Sequence, residues 1–210
     1  MIDVFLQGFF LQASLILALG GQNIFVLNSG LYRQRHLLVA LLSSICDMTL
    51  ILVGVLGVAT IFVQIPLLKI TFGVIGVGFL CYYGITKLKE AWQASSNIEN
   101  KFIATSLKQT ILTTLAFSLL NPHVYLDTIV LVGGYSAKFQ ELFSRFLFGI
   151  GASAFSFVWF FGLVLLASAG NKLVHNQKMM KSISAFSGLI LLWLSYKLGM
   201  DVFEWIEAIY

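Results

Sequence analysis

Apolar residues fall along the 210-residue chain in six long runs. The first extends from Val4 to Leu31, the second from Leu37 to Phe62 and the third from Ile65 to Thr86. The fourth extends from Gln109 to Val132, the fifth from Phe146 to Ala169 and the sixth from Ile183 to Tyr196. A bilayer core about 30 Å thick takes about 20 apolar residues of helix. The first five runs reach that length, and the sixth reaches it by continuing past Lys197. No stretch alternates in the manner of a barrel strand. The pattern predicts an all-α polytopic membrane protein with six transmembrane helices in a single transmembrane domain over residues 1–210. The overlong first run leaves room for a tilted helix or a re-entrant piece.

The links between runs carry the charge. Arg33, Arg35 and His36 follow the first run, Lys87, Lys89, Lys101 and Lys108 the third, and Lys172, Lys178 and Lys181 the fifth. These three links hold nine of the thirteen Lys and Arg residues. Lys69, Lys138, Arg145 and Lys197 remain for the other side, with the acidic tail Asp201, Glu204 and Glu207. The positive-inside rule then predicts that the three basic links are cytoplasmic and both termini periplasmic. The first run lacks a basic segment before it and reads as a retained span, not a cleaved signal. The hydrophilic link of residues 91–108, with Ser95-Ser96-Asn97, divides the chain into halves 1–90 and 109–210. Three spans per half force opposite orientations, the arithmetic of a 3+3 inverted repeat.

Composition narrows the class. Hydrophobic residues make up 59% of the chain and charged residues 10%, against about 25% charged in soluble domains. Mean hydropathy is +0.91. Too little polar surface remains for a soluble enzyme, and the charge is too dispersed for a nucleic-acid partner. Cys46 and Cys81 both lie inside apolar runs and read as small buried hydrophobes. Gly73, Gly76 and Gly78, Gly54 with Gly57, and Gly149 with Ser153 suit close helix packing, not a nucleotide fingerprint. Such small-residue faces serve a homo-oligomer and intrachain packing equally well. Trp92, Trp193, Trp205, Tyr32, Tyr82 and Tyr210 lie near run ends as interfacial anchors, and Lys69 and Lys197 are placed to snorkel.

Candidate chemistry lies where polar groups interrupt the runs. Asp47 and Asp127 are the acids deep within runs. A carboxylate at mid-bilayer costs at least about 2.5 kcal/mol, so such residues face a bundle interior or a wet cavity. Asp47 sits about ten residues into its run, or about 15 Å by helical rise. Pro122 cannot donate to the carbonyl of Ser118 and drives Asn121 out of helical geometry, predicting a break in the fourth run. Gly20 and Gly21, followed by Gln22 and Asn23, predict a break in the first. Freed backbone groups at membrane depth need protein or a wet cavity. The N-terminal end of a half-helix favours a carboxylate and the C-terminal end a cation, and a zwitterionic amino acid presents both. His123 and Asp127, four apart, share a face if the α-helix continues there, allowing a proton relay. No nucleophile motif, metal-ligand cluster or cofactor signature accompanies them.

The segment Gly20-Gly21-Gln22-Asn23-Ile24-Phe25-Val26-Leu27, then Gly30-Leu31 and Arg33 to His36, resembles the opening of the LysE family of amino-acid exporters. Asp47 before Gly54 and Gly57 fits the same pattern. Leu120-Asn121-Pro122-His123-Val124-Tyr125-Leu126-Asp127-Thr128 resembles the second signature of its lysine/arginine exporter branch. The likeness covers nearly the whole chain. One departure is Gly21, where the family usually has proline. The resemblance implies export of a basic amino acid, arginine or lysine, across the bacterial inner membrane, with H⁺ as the expected coupling ion. In that scheme Asp47 and Asp127 balance the side-chain cation, and Asn121, Gln22, Asn23 and His123 complete the substrate site. Gly20, Gly21 and Pro122 permit the helix breaks and gating. Two other readings stay open: a neutral amino-acid exporter of the homoserine/threonine type, and a non-transporting membrane subunit.

Overall fold

A computed structural model describes residues 1–16, 20–58, 66–93, 106–120, 122–170 and 177–207. Among the described residues every element is helical. Helix α1 spans Ile2–Ile16, α2 Gly21–Leu31, α3 His36–Val53 and α4 Pro66–Gln93. Helix α5 spans Leu107–Leu119, α6 Pro122–Tyr125, α7 Gly133–Ser136, α8 Leu142–Ala169 and α9 Gln177–Glu207. Two π-helical segments interrupt this order: Gly54–Val58 continues α3, and Leu126–Val132 joins α6 to α7.

His36–Leu56, Leu142–Ala169 and Lys181–Glu207 are each long and apolar enough to cross a membrane. Helices α1 and α2 meet that test together as a pair bent by 85°. The chain is thus a multi-pass helical membrane protein. Its polarity is arranged accordingly. Phe10, Leu56, Val158, Leu166, Phe186 and Phe203 face outward, where water would make them a liability and lipid makes them the required surface. Ser43, Ser44, Thr114, Ser118, Ser153 and Ser156 are buried. Several of these hydroxyls donate to the carbonyl four residues back, as Ser44 does to Ala40 and Thr114 to Thr110. A polar group is thereby satisfied without leaving its own helix.

Helix α2 is the axis of the bundle. Ten of its eleven residues are buried, as expected of a helix enclosed on all sides. Its Ile24, Phe25 and Val26 form the main core with Val39 and Ala40 of α3, Leu80 of α4, Phe117 of α5, Phe160 and Val164 of α8, and Leu191, Leu198 and Val202 of α9. The tight turn after α2 carries Arg33 and Arg35 at positive φ. Arg33 donates from Nη2 to the Ser168 carbonyl (3.1 Å) near the end of α8, where a cation meets the negative end of the helix.

Small residues set the closest approaches. A Cβ on Gly8 of α1 would run into the Phe148 carbonyl of α8, and one on Gly151 of α8 would run into the Phe5 carbonyl of α1. Gly73 and Gly76 pack as the sequence suggests, against Val202 and the Leu120 carbonyl, whereas Gly78 faces open space. Gly54 and Gly133 bring the two π segments into backbone contact, a Cβ on Gly54 lying 2.7 Å from Ile129 Cα.

Both expected interruptions are present as helix ends. Helix α2 begins at Gly21 after an extended Gly20 (φ −91°, ψ 170°). Helix α5 ends at Leu119 and α6 starts at Pro122, with proline in the first helical position, where no N–H is needed. Each end is bridged by a side chain reaching back. Asn23 Nδ2 donates to the Ile16 carbonyl (2.8 Å), and the Tyr125 hydroxyl donates to the Leu119 carbonyl. These bonds satisfy carbonyls that a helix C-terminus leaves open. The backbone widens to π geometry at Leu126, and the side chain of His123, on which a shared face with Asp127 depends, lies outside the described residues.

Two outcomes follow from this packing. Gly151→Val should separate α1 from α8 and lower the melting temperature of the detergent-purified protein, while Gly162→Ala, at a glycine with open space around it, should leave it unchanged. Gly21→Pro should be tolerated. Gly20 already holds the extended ψ that a following proline demands, position 21 is the first of its helix, and the nearest obstacle is the flexible end of Leu80 at 2.9 Å. Gly21→Pro is expected to match or exceed the wild-type melting temperature, whereas Gly21→Val should lower it.

Candidate functional site

The break between α1 and α2 opens onto a cavity of about 700 Å³, within the roughly 300–1,000 Å³ of small-molecule sites. Its walls come from α1, α2, α3, α4, α6, the π segment Leu126–Val132 and α9. Asp47 and Asp127 both line it, although they stand in different halves of the chain. Helix α3 brings Asp47 in at 3% exposure. The π segment brings Asp127, close enough to act on Asp47 electrostatically.

Asp47 is held by a relay of side chains. Gln12 Nε2 of α1 donates to Ser156 Oγ of α8 (3.1 Å), and Ser156 Oγ donates to Asp47 Oδ2 (3.1 Å). Asp47 Oδ1 and Gln12 Oε1 are buried and have no hydrogen-bond partner among the described residues. Two acceptors without donors at the wall of one cavity favour a ligand that brings donors and positive charge.

The N-terminus of α2 supplies the opposite polarity. Gly20, Gly21, Gln22 and Asn23 all line the cavity, and the N-cap residue, Gly20, has no side chain with which to cap the helix end. The first N–H groups of a helix and its dipole together favour an anion. Gln22 and Asn23 also hold the site in place. Gln22 Nε2 donates to Ser118 Oγ of α5 (3.1 Å). Asn23 Oδ1 accepts from Trp159 Nε1 of α8 (3.1 Å) while its Nδ2 bridges back to α1. Asn23 is thus a brace across the helix break as well as a wall residue. Asn121 and the side chains of Pro122 and His123 lie outside the described residues.

Four contributors were not singled out by the run pattern. Gln12 and Ser156 support Asp47, and their partnership spans 144 residues of chain, so nothing local announces it. Lys197 and Asp201 of α9 also line the cavity. Lys197 was expected to snorkel and Asp201 to belong to the acidic tail, yet their spacing of four puts them on one helical face. Trp193, expected as an interfacial anchor, lines the cavity too, with Lys197 Nζ 5.1 Å from its ring centroid. Three carboxylates and one lysine therefore line the space, and a concave site of that balance concentrates cations.

No solved structure matches the chain. A putative amino-acid transporter, YggA, of Aeromonas salmonicida is 39% identical over 92% of this chain and 94% of its own length. An arginine exporter protein, ArgO, of Salmonella enteritidis is 38% identical over the full length of both chains. The ArgO of an Enterobacter species is 37% identical over 100% of this chain and 99% of its own. The family profile described as LysE type translocator matches residues 13–201. With the profile matched over nearly all its length, the chain belongs to the LysE family of translocators.

Proposed function

We propose that the protein exports basic L-amino acids, arginine or lysine, from the cytoplasm across the bacterial inner membrane by proton-coupled antiport. The observation that carries this is the placement of Asp47 and Asp127 on one cavity beside the glycine-capped start of α2. The substrate's side-chain cation lies between the carboxylates, and its α-carboxylate meets the N–H groups at Gly21 and Gln22. The relatives named arginine exporters support the substrate class. A neutral amino acid brings no side-chain cation to the buried Asp47, and leaving a buried charge uncompensated costs about 3–5 kcal/mol.

Alternating access rests on six spans arranged as a 3+3 inverted repeat. Supporting this, the broken α1–α2 corresponds to the broken α5–α6, and each break is bridged by a returning side chain, Asn23 or Tyr125. Helix α3 packs on α8 and α4 on α9, the pairings that exchange of the halves would preserve. The basic links face the cytoplasm and both termini the periplasm.

Charge constrains the coupling. Expelling a monovalent cation against a negative-inside potential costs about 2.3 kcal/mol per 100 mV. Inward movement of one proton per substrate cancels that charge and leaves the pH gradient as the driver. Asp47 or Asp127 is the proton carrier.

Proteoliposomes loaded with labelled arginine should exchange it for external arginine without any partner protein. Asp47→Asn and Asp127→Asn should each reduce this counterflow by about 100-fold or more, given the cost of an unpaired buried charge, while the protein still inserts. Undiminished counterflow in both variants would remove the proposed site, and equal exchange of threonine would remove the cation selectivity. Collapsing the pH gradient should abolish net efflux, and a sodium gradient should not restore it.

A further inference from the structure

A second, smaller hollow of about 90 Å³ lies at the basic end of the bundle. Phe25 and Tyr32 of the α2 region, Tyr83 and Lys87 of α4, and Gln109 and Thr110 of α5 line it. It is well below the roughly 300 Å³ at which small-molecule sites begin. Part of the space is taken by the protein itself. Lys87 Nζ lies 5.6 Å from the Tyr32 ring centroid and 5.7 Å from that of Tyr83, inside the ~6 Å reach of a cation–π contact. The two rings thus form a cage for an alkylammonium group, and the group inside it belongs to a lysine.

Four aromatic rings stand between this hollow and the large cavity. Phe117 is at their centre, with ring centroids 4.8 Å from Phe25, 4.7 Å from Phe79 and 4.8 Å from Tyr83. Phe25 and Tyr83 line the hollow, while Gly21 and Leu80 line the large cavity. Phe117 fills the space between the two sets: a Cβ on Gly21 would lie 3.5 Å from Phe117 and 2.9 Å from Leu80. Phe117 is 2% exposed and Leu80 6%, so the partition is closed in this conformation.

We infer that the Tyr32–Tyr83 pair is a second, transient site for the cationic side chain of the cargo, held by Lys87 as an internal surrogate while the Phe117-centred partition is shut. Two cations cannot share one ring pair, so an arriving ammonium or guanidinium displaces Lys87. Withdrawal of Lys87 enlarges the hollow and loosens Tyr83, which belongs to both the cage and the partition. Neutral amino acids offer only an α-ammonium beside its own carboxylate, a weaker competitor for Lys87 than a side-chain cation, so the cage adds a charge filter ahead of Asp47 and Asp127. This inference rests on the export function proposed above and adds a site on the opposite side of the partition from its carboxylates.

The test uses inside-out membrane vesicles, which present the basic face to added labelled arginine. Lys87→Gln should lower the KM for arginine by about threefold or more, the size of a modest cation–π competition. Lys87→Arg, which keeps the caged cation, should stay near the wild-type KM. The ring is tested in the Lys87→Gln background, because the wild-type ring serves both competitors. There, Tyr83→Leu should raise KM by about threefold or more and Tyr83→Phe should not, since phenylalanine keeps the ring face. If Lys87→Gln stops transport, arginine-dependent thermal stabilisation of the purified protein gives the same comparison. A half-maximal concentration lowered about threefold supports the surrogate role, and an unchanged one overturns it. The inference is also overturned if KM is unaltered by Lys87→Gln, or if Tyr83→Leu has no effect in that background. Absence of arginine uptake by the wild-type protein would sink the export function itself. Wild-type uptake with indifferent Lys87 and Tyr83 variants would sink only the second site.

Discussion

A carboxylate surrounded by hydrocarbon must be neutralised, paired or wetted. Much of this molecule is arranged around that demand at Asp47. One oxygen of Asp47 is held by Ser156, which is held in turn by Gln12. That chain links α3, α8 and α1, and the two glycines that let α1 approach α8 lie on the same pair of helices. The other oxygen has no hydrogen-bond partner among the described residues. One oxygen is fixed by protein, and the other, buried at the cavity wall, gains a partner only when the wall shifts or a ligand supplies one. A residue needed only for packing would be better served by a hydrophobic isostere of similar volume.

The helix break beside it follows from the same constraint. An unbroken first helix would present no free N–H groups at membrane depth. Starting α2 afresh at Gly21, bent by 85° from α1, creates a positive helix end at the cavity wall. The cost of a break is the open carbonyls of the helix that ends. Asn23 meets one of them, and its own carbonyl is met by Trp159 of α8. The second break carries an equivalent bond from Tyr125 to Leu119. Interrupted backbone is stable at this depth because each interruption brings its own donor.

These features were unequally visible in the chain. The helices follow the apolar runs because lipid imposes apolar exteriors on any span, a constraint that acts locally. The breaks were legible at Gly20-Gly21 and Pro122 because backbone chemistry resides in those residues themselves. Asp47 and Asp127 stood out because a carboxylate in such a run is expensive without a use. The π turn at Leu126 had no such signature, and the close approach of Gly54 to its Ile129 is a tertiary contact that only the fold reveals. Gln12 and Ser156 were silent for a related reason. A glutamine and a serine in apolar helices are unremarked until the fold shows them joined to Asp47. Lys197 and Asp201 were hidden by position, because a lysine near the end of a run reads equally as a snorkelling side chain.

The half-satisfied Asp47 also bears on why such a carrier would exchange its cargo and not leak. Closing the cavity around an empty, ionised carboxylate removes water from a charge that has nothing to replace it. Closing it around a cation or a proton does not. The empty ionised state is therefore the one that resists occlusion, and the loaded and protonated states are the ones that pass through it. In the proposed antiport, outward passage with the cation and return with the proton would then arise from one electrostatic preference. The proposed coupling would then need no separate device beyond a carboxylate whose second oxygen has no partner among the described residues.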